Sequence, residues 1–141
     1  MRFMMLMIPR GYEQAAPGTM PSADAVAAMM KYNEELQKAG VLLSLDGLHP
    51  PSMGARVSFR GGKPTVTDGP FIETKEVLGG YWMIDVPSRE EAVRWASRCP
   101  GADNEVIEIR QVMEMADFPD DVQQAAAGFE TMQQAAKTRR S

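Results

Sequence analysis

One cysteine, Cys99, and one histidine, His49, occur in the 141 residues. A single thiol forms no internal disulfide, so the fold is not expected to depend on oxidation. One histidine, one cysteine and scattered carboxylates also give no zinc or iron spacing, and no metal site is expected. A basic excess is missing too. Fifteen Lys and Arg stand against nineteen Asp and Glu, for a net charge of −4 and a pI near 5.0. Neither a nucleic acid nor an anionic membrane is then an expected partner, because phosphate binding needs a concentrated basic face. The opening apolar run ends at Pro9-Arg10, too short for a signal core with its cleavage site or for a membrane span. A cytoplasmic protein is the expectation. No phosphate-binding loop, dinucleotide fingerprint, nucleophile elbow or DNA-reading helix pattern occurs, and no cofactor is expected.

What is present suits one globular domain with a real core. Hydrophobic residues make up 44% and charged residues 24%, ordinary for a chain of this length. Phe3 to Ile8 is continuously apolar, which predicts a strand buried on both faces. After a Pro/Gly-rich loop, Ser22 is placed to cap a helix and Asp24 lies in its first turn. Ala25, Met29, Tyr32, Leu36 and Ala39 follow at helical spacing, Glu34 and Lys38 form an i,i+4 pair, and Gly40 stops the helix. Val41 to Leu48 reads as a second strand.

Gly61-Gly62 is a two-residue hairpin turn between Ala55–Arg60 and Lys63–Thr67. It sets Arg60 opposite Lys63, Phe59 opposite Pro64, Val57 opposite Val66 and Ala55 opposite Asp68. Alternation then places Asp68 on the side of Val57, Phe59 and Val66, and Arg56 and Arg60 on the other. Gly80 to Val86 is a further strand, with Trp82, Ile84 and Val86 on one parity and Tyr81 and Met83 on the other. Ser88-Arg89-Glu90-Glu91 reads as a capping box before a second helix with Ala92, Trp95, Ala96 and Cys99 on its buried stripe. Glu105 to Val112 is the last strand, with Ile107 and Ile109 toward the helices. The order is β-α-β-β-α-β with the hairpin as an added arm, the split βαβ arrangement of an α+β fold. Residues 1–115 form this domain. Residues 116–141 form a helical extension, with Val122, Ala125, Ala126, Phe129, Met132 and Ala136 at helical spacing and a basic end at Lys137, Arg139 and Arg140.

Both helices of this topology cover one sheet face, yet strand residues of both parities are apolar. The second face therefore needs a cover. A second copy of the chain is the first choice and the C-terminal helix the second. Two sheets closed face to face would also enclose a cleft suited to a small molecule.

Candidate chemistry gathers around Val66–Gly80. Asp68, aimed at an apolar side, is a candidate general acid/base or ligand anchor. The competing reading is a turn in which its oxygens cap nearby backbone N–H groups. His49, held extended before Pro50-Pro51, lies near the base of the same hairpin and is a candidate partner for Asp68, or a solvent-facing loop residue. Glu73, Lys75 and Glu76 form a charged cluster, read either as a ligand-binding group through Lys75 or as an ion-pair network stiffening the loop. Tyr81 and Trp82 are candidate pocket-lining residues, or core aromatics of their strand. Gly79-Gly80 permit close backbone approach, for a ligand or for packing. Cys99, on a buried stripe, is expected to be an inert thiol.

The run Val66-Thr67-Asp68-Gly69-Pro70-Phe71-Ile72-Glu73-Thr74-Lys75-Glu76-Val77-Leu78-Gly79-Gly80, continuing through Tyr81 to Val86, resembles the signature of the DGPF proteins, a branch of the YCII-related family. Gly47-Leu48-His49-Pro50-Pro51 and the Ala96, Cys99, Pro100, Gly101 pattern extend the likeness over roughly Arg2 to Val112. The resemblance implies a ferredoxin-like α+β domain that forms a dimeric α/β barrel. It also implies a sigma factor as a candidate partner, since some DGPF proteins are encoded beside extracytoplasmic-function sigma factors. Some YCII relatives act on small molecules through a histidine that opens the first helix and an aspartate after the second. Neither stands at those places here, where Pro21 to Ala39 has no histidine and the second helix ends at Cys99-Pro100. Three readings remain: a small-molecule-binding or accessory homodimer, a cofactor-independent isomerase, lyase or hydrolase using Asp68 with His49 or Lys75, and a dimeric scaffold whose Asp68–Phe71 loop only holds the hairpin.

Overall fold

Strand β1 (Arg2–Ile8) is the strand around which the sheet is paired. It bonds antiparallel to β5 (Gly80–Asp85) on one side and to β6 (Val106–Gln111) on the other. β2 (Leu42–Gly47) completes the sheet on the far side of β5, giving the order β2-β5-β1-β6. β3 (Ala55–Arg60) and β4 (Lys63–Asp68) form a separate two-stranded sheet. Helix α1 (Ala23–Lys38) joins β1 to β2 and helix α2 (Arg89–Ser97) joins β5 to β6. The computed structural model describes residues 1–71 and 73–139. Ile72 of the long motif and Arg140 of the basic end lie outside the described residues.

The local signals act as their chemistry dictates. The Ser22 hydroxyl accepts from the Ala25 N–H at 3.2 Å, and the Ser88 hydroxyl accepts from the Glu91 N–H at 3.2 Å, so each helix starts on a side-chain cap. The second half of the expected box at Ser88 is replaced, because the Glu91 carboxylate takes Arg94 instead. Gly40 ends α1 with φ at +73°. The Glu34–Lys38 pair does not form; Arg98 from the end of α2 reaches Glu35 of α1 at 2.7 Å, joining the two helices.

The core lies between the helices and one sheet face. Phe3, Met5 and Met7 of β1 pack with Trp82 and Ile84 of β5, Tyr32 and Leu36 of α1, and Ala92 of α2. Tyr32 meets Trp82 edge to face, with ring centroids 5.6 Å apart. The two polar tips are satisfied inside this apolar packing: Tyr32 Oη donates to the Trp95 carbonyl at 2.7 Å and Trp82 Nε1 donates to Asn33 Oδ1 at 2.8 Å. Burial pushes the Tyr32 hydroxyl's pKa far above its ordinary value.

Within one chain β1 is fully buried on one face only. Its exposure alternates, with Phe3, Met5 and Met7 buried and Arg2, Met4, Leu6 and Ile8 only half-buried. Both helices pack on the first set, and among the described residues no helix of comparable size packs on the second. The expected single C-terminal helix is corrected. Two short helices, α3 (Asp120–Ala125) and α4 (Phe129–Arg139), are separated at Gly128, whose φ is +92°. A left-handed residue cannot continue a right-handed helix. Among its described residues α4 buries none, so it is not the cover for the second face. Among the described residues no helix is long and apolar enough to cross a membrane.

Candidate functional site

The loops at one end of the sheet lock together through backbone rather than through charge. That end is defined by the register: Met7 and Gly47 both stand opposite Gly80. Pro50 is fully buried, and the chain turns there through a short 3₁₀ segment, Pro51–Met53. Tyr12 Oη donates to the Leu48 carbonyl at 2.6 Å and Ser52 Oγ donates to the Ala15 carbonyl at 2.8 Å, tying this turn to the loop after β1. Partial burial raises the Tyr12 pKa.

Gly69 then seats directly on the proline turn. Its N–H donates to the Gly54 carbonyl at 2.9 Å. A Cβ on Gly69 would overlap the Pro51 carbonyl oxygen and lie 2.6 Å from the Pro51 carbonyl carbon. Glycine is required here by space, at a position where no positive φ demands it. The Gly69-Pro70 peptide is cis, and the ring of Phe71 lies 4.0 Å beneath the Arg56 guanidinium. Gly79 and Gly80 complete the junction. A Cβ on Gly79 would meet the Pro9 ring at 2.8 Å, and one on Gly80 would meet the Asp46 carbonyl oxygen at 2.8 Å. Of the two roles open to this glycine pair, packing is the one observed.

The hairpin register is as expected, down to Ala55 opposite Asp68. Its surroundings are not. Every residue from Ala55 to Asp68 is exposed, the apolar flank included. Within one chain Asp68 therefore faces water, not an apolar interior. Nor does it cap the turn: among the described residues its carboxylate has no hydrogen bond or ion pair, and the Gly69 backbone holds the turn in its place. The physical reason is that the hairpin stands off the sheet, so its two sides differ in chemistry but not in burial.

His49 is exposed, and no hydrogen bond or ion pair joins it to Asp68 among the described residues. The buried partner of that turn is the next residue, Pro50. Glu73, Lys75 and Glu76 are likewise exposed, and among the described residues no ion pair joins them. Water solvates each head group, and holding two long side chains in one geometry costs more rotamer entropy than an exposed pair returns.

Tyr81 is the one candidate that reaches the second sheet face as expected. It stands opposite Leu6 and opposite Asp46, and its hydroxyl donates to Asp46 Oδ2 at 2.8 Å. With Met4, Leu6, Ile8 and Met83 it makes a half-buried apolar floor. Polar groups bound that floor. Arg2 grips Glu114 through two bonds of 2.7 and 3.0 Å, and Arg110 reaches Glu108 at 3.3 Å. The hydrogen bond from Arg2 holds the Glu114 carboxyl below the usual carboxylate range, and the same bond raises Arg2. Sequence reasoning missed Asp46, Arg2 and Glu114. For Arg2 and Asp46 the signal was parity, since each interrupts a strand position that alternation assigns to the uncovered face; Glu114 lies past the end of β6 and carried no such signal.

Chemically the floor offers apolar contact with a few convergent polar groups, which suits binding. Nucleophilic chemistry has little to draw on. Burial pushes the Cys99 thiol up to about 11, and its sulfur lies 3.8 Å from Met29 Sδ on the helix side. Among the described residues no three His, Cys, Asp or Glu side chains gather to hold a metal ion.

An uncharacterised protein of Rhizobium meliloti (strain 1021) is 40% identical over 73 residues, 52% of this chain and 56% of that relative. The match thus spans little more than half of the relative's length. The model of the YCII-related domain matches residues 1–116, which takes in the whole sheet, both covering helices and the hairpin. The chain belongs to the YCII-related family.

Proposed function

We propose that this protein is a small-molecule-binding or accessory homodimer of the cytoplasm. Its subunits are ferredoxin-like, and their sheets stack face to face as a dimeric α/β barrel. The observation that carries this reading is the second sheet face. Met4, Leu6, Ile8 and Met83 form an apolar floor that one chain leaves without a cover. The antiparallel order β2-β5-β1-β6, with both helices on the other side, is consistent with such stacking. A small apolar or amphiphilic molecule would occupy the cleft between the floors, with Tyr81 and Asp46 as its polar anchor and Asp68, Glu73, Lys75 and Glu76 at its mouth. The accessory role extends, through the family likeness alone, to a sigma factor as protein partner.

Catalysis by Asp68 with His49 would need the dimer to withdraw Asp68 from water, since a single chain does not. Sedimentation of the purified protein and native mass spectrometry for a retained small molecule test the main reading. Tyr81→Phe should weaken retention most, and Asp68→Asn, at an exposed position, should leave the fold unchanged. Loss of a measurable turnover in Asp68→Asn would favour the enzyme instead. Co-purification with a sigma factor tests the accessory role. A protein that stays monomeric and empty at tens of micromolar overturns the proposal.

A further inference from the structure

We infer that the cleft over the second sheet face takes an amine: a small organic cation whose ammonium group sits on Asp46 and whose apolar body lies across Tyr81 and Leu6. This rests on the dimer and cleft proposed above and adds to them the charge of the occupant.

Pairing across the strands fixes what this face carries, since residues directly opposite one another point to the same side. Asp46 of β2, Tyr81 of β5, Leu6 of β1 and Glu108 of β6 stand in one row. Ser44, Met83, Met4 and Arg110 stand in the next, and Arg2 stands opposite Asp85 beyond them. The charges of the face are therefore Asp46, Asp85, Glu108, Arg2 and Arg110, joined by the N-terminus and by Glu114 just past β6. All but one are matched. Arg2 holds Glu114 at 2.7 Å, the N-terminal ammonium reaches Asp85 at 3.0 Å, and Arg110 reaches Glu108 at 3.3 Å. Asp46 is the exception. Its carboxylate accepts from the Tyr81 hydroxyl at 2.8 Å, a neutral donor, and among the described residues no cation pairs with it.

In a single chain this has no consequence, because Asp46 is exposed and water solvates it. Two stacked floors would withdraw it from water, and a carboxylate so withdrawn without a counter-ion is costly. The face holds no free cation to meet it, since both of its arginines already grip a carboxylate. A ligand can supply one. An ammonium beside Asp46 makes a charge-assisted hydrogen bond and lies near the Tyr81 ring, whose face attracts cations. Two strand spacings, about 10 Å, separate Asp46 from Leu6, a distance that one aromatic ring on a short chain spans. Met4 and Met83 of the next row then offer that body polarizable thioether contacts. An anion would meet Asp46 with the same sign, in a chain whose net charge is −4.

The test titrates three probes of one shape into the full chain: phenethylamine, phenethyl alcohol and hydrocinnamate, followed by ligand-observed NMR, with sedimentation of the same samples. The wild type should bind the amine on the order of 10-fold tighter than the alcohol, and the acid least. Asp46→Asn replaces an exposed residue and can still accept from Tyr81, so circular dichroism should show the same fold while the amine falls to the affinity of the alcohol. Tyr81→Phe should weaken all three probes and keep the amine first, because the carboxylate remains. A dimer that binds the three alike, prefers the acid or binds none overturns the cation and leaves the dimer standing. An amine preference that survives Asp46→Asn overturns the assignment to Asp46. Were a basic side chain of the second subunit to hold Asp46 instead, Asp46→Asn would weaken dimerisation and no amine preference would appear, which overturns the inference too. A wild type that stays monomeric removes the cleft, and the amine with it.

Discussion

Replacing Gly69 by alanine asks whether the junction is built from backbone fit. A Cβ at this position would overlap the Pro51 carbonyl oxygen, lie 2.6 Å from the Pro51 carbonyl carbon and 3.4 Å from the Gly54 oxygen. All three are backbone atoms, so no rotamer can yield, and the turn or the hairpin base must move by roughly 1.5 Å to reach ordinary contact. That movement breaks the 2.9 Å bond from the Gly69 N–H to the Gly54 carbonyl, worth about 1 kcal/mol. It also loosens the packing over the buried Pro50, and overpacking of this kind costs about 1–3 kcal/mol. Gly69→Ala should therefore lose about 2–4 kcal/mol in urea unfolding, and the hairpin should become an early site of limited proteolysis. Two companions grade the effect. Gly80→Ala meets one carbonyl oxygen at 2.8 Å and should cost less, about 1–2 kcal/mol, while Gly47→Ala meets nothing within 4 Å and should stay within ~0.5 kcal/mol. A Gly69→Ala protein within ~0.5 kcal/mol of wild type would refute the reasoning.

Cys99 should alkylate roughly 100-fold more slowly at pH 8 than an exposed cysteine, because its thiol titrates near 11; iodoacetamide kinetics at the rate of free cysteine would contradict this. The sign on stability follows: the unfolded thiol ionises first, so this group's contribution is lost as pH rises from about 8.5 toward the folded value. Tyr32→Phe removes the 2.7 Å bond to the Trp95 carbonyl between the helices and should cost about 1–2 kcal/mol by thermal or urea unfolding; no change would mean that water replaces the hydroxyl there. Glu114 is held low by Arg2, so its contribution is present above the unfolded carboxylate pKa and lost as pH falls through the folded one. Glu114→Gln should cost about 1 kcal/mol at pH 7, discounted for its exposure, and the variant and wild type should converge once pH has fallen through the lowered Glu114 titration.

Where a signal acts within a few residues, the chain was legible. Gly61-Gly62 dictated the hairpin register pair by pair, and Ser22, Ser88 and Gly40 marked helix ends that hydrogen bonds and a positive φ bear out. Contacts distant in sequence were not legible. Parity put Asp68 beside Val57, Phe59 and Val66, but parity compares two sides of a strand and cannot say that both face water. The Gly69 fit depends on Pro51, which lies across a hairpin, so an Asp-Gly step was read as a side-chain turn when backbone contact supports it. Charge pairs were least legible: Glu34–Lys38 gave way to Glu35–Arg98, since exposed partners differ by fractions of a kcal/mol. The apolar spacing from Val122 to Ala136 spoke for one helix, and one glycine at positive φ divided it.

The same contacts explain why so much of the motif is invested in glycine and proline. Gly69 seats on the Pro51 carbonyl next to the buried Pro50, while Gly79 seats on the Pro9 ring and Gly80 on the Asp46 carbonyl where β1 stops and β5 begins. None of these glycines and prolines offers a group for chemistry. The first contact makes a stiff seat from which the hairpin leaves, and its apolar flank points wherever that seat directs it. A flexible arm would have to lose its freedom on docking, at about 1–2 kcal/mol for each ordered backbone residue. Over the twelve strand residues of β3 and β4 that loss would exceed what Val57, Phe59 and Val66 can return by burial, at about 1.5–3 kcal/mol each. Any association through this hairpin would need folding to have ordered it beforehand, and the glycine contacts at its base are what hold it.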